Sequence, residues 1–295
     1  MRAILEAEVT REEVKAALDH IGDLKAQGPD GMPSIVYKKH WHFMGEKVID
    51  EVLSVLNGGM MPEGWNDTLV VLIPKVKNPT RIKDLRPISL CNVLYKLVSK
   101  VITNRLKLVL PEIISGNQSA FVLGRLITDN VLIAYELSHM LLNKRKGKEG
   151  YAAIKADMSK AYDRVEWSFL KAMMEKLGFA QSWIQIVMNM VQSVKFSVLF
   201  NGEKLEQFVP TRGIRHGDPI SPYLFLIAAE GLSCLLKSSS QSTSLEGIKV
   251  APTAPAVNHL LFVDDSLLLF MSSVEGAMKV SNLLEIYCNA LGQRV

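Results

Sequence analysis

Apolar residues recur along this chain in two rhythms. Spacing of three and four residues dominates, and it predicts a series of helices. The first covers 10–20, TREEVKAALDH. Thr10 stands at its N-cap with Glu13 three residues on, a capping-box pattern, and the helix stops near Gly22. KAQGPDGMP, at 25–33, crowds glycine, proline and aspartate together and reads as a structured loop. Helical spacing resumes at once in SIVYKKHWHFMGEKVIDEVLSVLN. In NVLYKLVSKVITNRLKLVLPEII, residues Leu94, Leu97, Val98, Val101, Ile102 and Leu106 share one face, with Lys96, Lys100, Asn104 and Lys107 mostly off it. ITDNVLIAYELSHMLLNK predicts a further helix, with Thr128 or Asp129 as cap. FLKAMMEKLGF, QSWIQIVMNMVQS and the stretch from Tyr223 to Leu236 are also helical. Pro222 suits the first turn of the last of these and Ser221 its N-cap. An amphipathic helix near 274–291 closes the series.

The second rhythm is that of strands. TLVVLIPK, at 68–75, is a β-rich run ended by Pro74, and AAIKADM, at 152–158, is another, with a helix starting at SKAYDRVEW. FSVLFNGEKLEQFVP predicts a hairpin turning at Asn201-Gly202. NKRKGKEG at 143–150 and SSSQSTS at 238–244 read as polar loops. Strands alternating with helices, plus a hairpin, predict a mixed α/β layer fold without internal repeats.

Composition narrows the picture. A chain of 295 residues can bury one large core or two smaller ones. With 48% apolar and 22% charged residues it is not a disordered chain. A net charge of +4 permits contact with polyanions without demanding it. Cys91, Cys234 and Cys288 are scattered, which argues against a zinc site or a disulfide framework and for a reducing compartment. LFLIAAEGLSCLL is interrupted by Glu230, and no apolar run reaches the roughly 18 residues of a spanning helix, so no membrane span is expected. MRAILEAEVTREEV carries acids where a signal peptide needs an apolar block.

One stretch demands chemistry. HLLFVDDSLLLF, at 259–270, sets Asp264 and Asp265 inside an apolar run. Two unpaired buried carboxylates are costly, so either a turn exposes them to water or a divalent cation holds them. LLFV and LLLF flank the acids almost symmetrically, which predicts a hairpin with acids at its tip. Asp157 ends a second apolar strand. The two strand ends lie about a hundred residues apart in sequence, and only a sheet can make them neighbours. If they converge, like charges about 4 Å apart repel by about 4 kcal/mol at an effective dielectric of ~20. Mg²⁺ relieves that repulsion. Two such ions about 3.5–4 Å apart can serve an in-line phosphoryl displacement.

KADMSKAYDRVEW, TRGIRHGDPISPYLF and LLFVDDSLLLF, in this order, resemble the reverse transcriptase of LINE-type non-LTR retrotransposons in its plant form. GPDGMP, LIPK with DLRPISL, and GNQSAFVLGRLITDNVLIAYEL resemble the family's N-terminal blocks, so the likeness runs over nearly the whole chain. It implies an α+β (mixed α/β) fold: right-hand polymerase fingers and palm, with an antiparallel palm sheet packed on helices. On this reading residues 1–148 form the fingers-side region and 149–295 the palm. Catalysis and metal binding would fall to Asp157, Asp264 and Asp265, holding two Mg²⁺ ions, with Mn²⁺ as a substitute. Tyr162 matches the aromatic residue beneath the incoming sugar, where its ring excludes a 2′-OH. Lys75 and Arg86 match basic positions that meet the triphosphate. His216 and Gly217 would line the nucleotide pocket, and Arg215 would contact nucleic acid or phosphate. Asp218 and Ser221 either cap the following helix or touch substrate.

The resemblance implies an RNA-directed DNA polymerase with RNA template, DNA primer and dNTPs as partners, acting in the nucleus and cytoplasm. Three departures bear on that. His216 replaces the usual Gln, exchanging a donor–acceptor amide for a stiffer ring. Val263 replaces the usual Ala and, as a strand residue, reads as a mild change. The endonuclease and thumb of such polyproteins are not expected in this chain, so the alternative is an inactive remnant that folds and at most binds nucleic acid weakly.

Overall fold

The computed structural model describes residues 1–144, 150–239, 245, 247–251 and 253–294. The expected loops at 143–150 and 238–244 lie largely outside them. In chain order the elements are α1 (Arg2–Leu5), α2 (Arg11–Asp19), α3 (Ser34–Lys39), α4 (Trp41–Leu56), β1 (Asp67–Pro74), β2 (Leu85–Cys91), α5 (Val93–Ile113) and α6 (Ile127–Asn143). There follow β3 (Tyr151–Asp157), α7 (Trp167–Lys176), α8 (Gln181–Gln192), β4 (Lys195–Phe200), β5 (Glu203–Lys204), α9 (Ser221–Ser239), β6 (His259–Phe262), β7 (Asp265–Met271) and α10 (Val274–Leu291). Among the described residues, no helix is long and apolar enough to cross a membrane.

The chain divides into two compact units, each drawn from two stretches of sequence. One comprises 1–108 and 174–221, the other 109–173 and 222–295. One strand pairing accounts for the second stretch of the first unit. The apolar run FSVLF at 196–200 becomes β4, which lies parallel to β1, with Val70 opposite Val198. That pairing draws residues 195–204 into the N-terminal unit.

The first unit is built on a four-stranded sheet in the order β2-β1-β4-β5. Its hairpin turns at Asn201 (φ 51°) and Gly202 (φ 86°), both left-handed, as an Asn-Gly turn requires. Around the sheet, α2 is capped as expected: Glu13 N–H donates to Thr10 Oγ1 at 3.3 Å and Thr10 N–H to Glu13 Oε2 at 2.9 Å. The stretch 34–57 forms two helices, α3 and α4, that part at His40. The 25–33 loop is pinned by Asn92, whose Oδ1 accepts from Asp30 N–H at 3.2 Å. A Cβ at Gly28 would lie 2.1 Å from that same oxygen, so this close approach requires glycine.

The second unit is built on a three-stranded antiparallel sheet, β3-β7-β6. On one face, Leu260 and Leu269 pack with Ile248 and Leu137 of α6. On the other, Leu261, Leu268 and Phe270 are buried. Tyr287 of α10 donates to Ala228 O of α9 at 3.4 Å and meets Phe169 of α7 edge-on. Two helix starts differ from expectation. SKAYDRVEW does not begin a helix: residues 159–164 are turns, with Lys160 at φ 55°, and α7 begins at Trp167. Ser221 lies inside the first turn of α9 rather than capping it, and just ahead of that turn Asp218 Oδ1 accepts from Ile220 N–H at 3.3 Å.

Candidate active site

In the second unit, β3 and β7 run antiparallel, and their register sets Asp157 directly opposite Asp265. Facing positions on such a ladder bring Cα atoms to about 4.5–5.5 Å. β6 and β7 are joined through Val263 and Asp264 alone, because Phe262 pairs with Asp265. All three acids therefore meet at one corner of the sheet. Asp157 and Asp265 are exposed and Asp264 is half-buried.

Val263 occupies the turn and not a strand. Its φ is 56°, in the left-handed region where a β-branched residue is strained. The expectation of a mild strand substitution is thus corrected: a branched Cβ at this turn costs backbone energy that a strand would not exact.

Carboxylate oxygens are the donors that Mg²⁺ or Mn²⁺ prefers. The acids suit such an ion in chemistry. Among the described residues no three His, Cys, Asp or Glu side chains form a metal-holding group. Lys155 stands among the acids. It lies two residues before Asp157 on the same face of β3, and its Nζ reaches Asp265 Oδ1 at 2.9 Å. The pairing with Asp265, then the charges of Asp157 and Asp264, raise the Lys155 pKa.

Tyr162 stands beside this corner. Its ring stacks on Phe225 with centroids 5.3 Å apart and planes 7° from parallel. Burial, then the Asp264 carboxylate and Tyr223, push its hydroxyl up to about 12. Its hydroxyl therefore stays protonated at neutral pH.

The remaining predicted residues belong to the first unit. Lys75 follows β1, and Arg86 on β2 faces Ile73. Since Ile73 and Lys75 are two apart, Lys75 and Arg86 emerge from one face of the β1–β2 hairpin, and both are exposed. The loop carrying His216 and Gly217 docks on β2, where Ser89 N–H donates to His216 O at 3.0 Å. Gly217 has φ 99°, a conformation that glycine adopts without strain.

Arg215 corrects the expectation of a nucleic-acid contact. Its side chain is 4% exposed and wholly engaged inside the unit. It lies over the Tyr95 ring at 3.8 Å and donates to Asn66 Oδ1 at 2.5 Å and Thr68 Oγ1 at 3.1 Å. Its second terminal nitrogen sits 2.9 Å from Asp218 Oδ2, an ion pair without hydrogen-bond alignment. Asp218 in turn accepts from Tyr95 Oη and Ser99 Oγ, each at 2.5 Å.

Two residues at the acid corner escaped the sequence reading. Lys155 is adjacent to a candidate acid, and its place two positions before Asp157 in a strand was the available signal. Gln118 lies in the GNQSAF block, and its side chain reaches Val263 N–H; nothing in its local pattern announces that.

Comparison with known proteins bears on the whole arrangement. The profile described as reverse transcriptase (RNA-dependent DNA polymerase) matches residues 73–295. The chain is 28% identical over 291 residues to the Transposon TX1 uncharacterized 149 kDa protein of Xenopus laevis, covering 99% of this chain and 22% of that protein. It is 25% identical over 269 residues to the retrovirus-related Pol polyprotein from type-2 retrotransposable element R2DM of Drosophila melanogaster, covering 91% of this chain and 24% of that one. The chain thus spans about a quarter of the length of either relative. Apo telomerase from Candida tropicalis, truncated from its C-terminal domain, matches with a TM-score of 0.53 at 12% identity, over 91% of this chain and 56% of that one. That likeness concerns the fold alone, a polymerase fingers-and-palm fold. With a match over well more than half its length, the chain belongs to the reverse transcriptase (RNA-dependent DNA polymerase) family, in its non-LTR retrotransposon branch.

Proposed function

We propose that this chain is the polymerase part of a retrotransposon protein and joins deoxynucleotides to a primer 3′-OH on an RNA template. The observation that carries the reading is the ladder register that sets Asp157 opposite Asp265, with Asp264 next to it at the hairpin tip. On this reading the three carboxylates hold Mg²⁺ or Mn²⁺. Divalent cations, when bound, supply the charge that activates a hydroxyl and steadies a leaving pyrophosphate. The protein's own contributions are positional. Lys75 and Arg86, on one face of their hairpin, receive phosphate oxygens. Gly217 exposes backbone to the nucleotide, and His216 stands beside it. Tyr162, stacked on Phe225, offers a rigid ring face that excludes a 2′-OH. The remainder of a longer polyprotein would supply the other grips on primer and template.

A second reading, an inactive domain that only binds nucleic acid, draws on the Lys155–Asp265 ion pair and on His216. One experiment separates the two. The protein is incubated with an annealed RNA template and DNA primer, dNTPs and Mg²⁺, beside Asp264→Asn. Extension that vanishes in the variant supports the polymerase. Retention of labelled primer–template without any extension supports the inactive domain, and His216→Gln then asks whether that ring is responsible.

A further inference from the structure

The hairpin that carries the acids is held in an unfavourable shape. Val263 adopts φ 56° in a two-residue turn, a position where glycine would sit without strain. Something outside the hairpin must keep it there.

The outer edge of β6 is covered by residues 117–119. Leu261 N–H donates to Asn117 O at 2.8 Å, and Ser119 N–H donates to Leu261 O at 3.4 Å. Gln118 and Leu261 form a parallel bridge. Asn130 Nδ2 reaches both Leu261 O, at 2.9 Å, and Asn117 O, at 3.2 Å, while Asn117 Nδ2 donates to His259 O at 2.8 Å. Gln118 itself is 1% exposed. Its Oε1 accepts from Ala120 N–H at 3.0 Å and, across 145 residues of chain, from Val263 N–H at 3.3 Å. Its Nε2 is buried without a hydrogen-bond partner among the described residues.

We propose that Gln118 is a positioning residue for the acid pair: its carboxamide oxygen braces the strained Val263 turn from a neighbouring segment and so fixes where Asp264 and Asp265 project. A strained branched residue and an orphaned buried donor coincide at the one hairpin that presents the candidate acids. Each costs stability, and a hairpin required only to fold would need neither. The oxygen does the holding, and the orphaned nitrogen is the consequence of placing an amide there.

The inference rests on the reading of Asp157, Asp264 and Asp265 as metal ligands, and its test keeps the two apart. The intact chain is compared with Gln118→Met, which keeps the bulk and loses the acceptor, and Gln118→Glu, which keeps an oxygen. Val263→Gly is made alone and combined with Gln118→Met. Thermal melting checks that each variant folds. Hydrogen exchange at the Val263 amide, which needs neither metal nor turnover, is expected to speed up about tenfold or more in Gln118→Met and to stay slow in Gln118→Glu. Mn²⁺ affinity, followed by the electron paramagnetic resonance of the free ion, should fall about tenfold in Gln118→Met. In the Val263→Gly background the same substitution should leave Mn²⁺ affinity unchanged, because a relaxed turn needs no brace. Unchanged exchange in Gln118→Met overturns the proposal. So does an equal loss of affinity in the parent and Val263→Gly backgrounds, which would make Gln118 a general packing residue. If the unaltered chain binds no Mn²⁺, the metal reading fails, and exchange at the Val263 amide still decides for or against the brace.

Discussion

Two groups of charged side chains, one in each compact unit, are treated in opposite ways. In the first unit, Arg215 and Asp218 are 6% and 4% exposed, and both are surrounded by Tyr95, Ser99, Asn66 and Thr68. These four residues hydrogen-bond or stack against the pair. In the second unit, Asp157 and Asp265 stand exposed at strand ends, and among the described residues Lys155 forms an ion pair with Asp265. Charge taken into a protein must be paired and hydrogen-bonded; charge left at an open corner with too few partners remains available to something else. The contrast tells a structural ion pair from a candidate ligand-binding group where residue type does not.

Breaking the buried pair should have the largest effect. Arg215→Leu strands the Asp218 charge inside the unit and should lower unfolding free energy by about 3–5 kcal/mol, read from urea denaturation. Replacing both partners with leucine should cost less than the single change. Asp157→Asn, at the open corner, should leave stability within about 0.5 kcal/mol of the parent while abolishing primer extension. If Asp157→Asn destabilised the protein as Arg215→Leu does, the distinction between the two clusters would collapse.

His259 sharpens the comparison, for it shows what burial does to a titratable group in the unit that holds the acids. It lies on β6 and is fully buried, with Nδ1 2.6 Å from Asn258 Oδ1 and Nε2 3.0 Å from Ser233 Oγ. Burial, helped by Lys237, holds its pKa down to about 4. Its unfolded value is about 6.5, so the unfolded chain takes up the proton first as pH falls. This contribution is therefore intact above about pH 6.5 and is lost progressively toward pH 4, by about 3 kcal/mol in all. Urea midpoints at pH 7 and pH 4.5 should differ in the parent, and much of that difference should disappear in His259→Gln.

Local features were the legible ones. The Thr10–Glu13 capping box, the Asn201-Gly202 turn and the helix at 274–291 depend on residues a few positions apart, and the chain folds as their spacing dictates. The acids were legible as a set because each ends an apolar strand, although only the ladder register brings Asp157 and Asp265 together. What escaped depends on distant partners. The parallel pairing of β4 with β1 joins residues more than a hundred positions apart, and it brings residues 195–200 onto the first unit's sheet. Arg215 has one local partner, Asp218 three positions on, but the residues that complete its burial come from β1, α5 and the segment just before β1. Val263 looked like a strand residue because the apolar run continues through it. It belongs instead to the two-residue turn that the pairing of Phe262 with Asp265 leaves, and no neighbouring residue in the sequence marks it as such.

The smallest effect on stability should come from Lys155. Its side chain is 69% exposed and that of Asp265 51%, so water screens the pair and the fold depends on it little. Lys155→Gln should therefore melt with the parent. Its consequence should appear in ligand binding instead. The ammonium group occupies Asp265 Oδ1, which a divalent cation would otherwise claim, so a cation entering the corner must first displace it. Removing the ammonium takes away that competitor but also one compensating charge among three carboxylates. Both changes favour a bound cation, and Mn²⁺ affinity should rise by about two- to fivefold, with the gain shrinking as salt is added. A lower melting temperature in Lys155→Gln with unchanged Mn²⁺ affinity would place this pair beside Arg215–Asp218 as part of the scaffold. A higher affinity with unchanged melting keeps the corner what its exposure suggests, a set of charges held open and only lightly guarded.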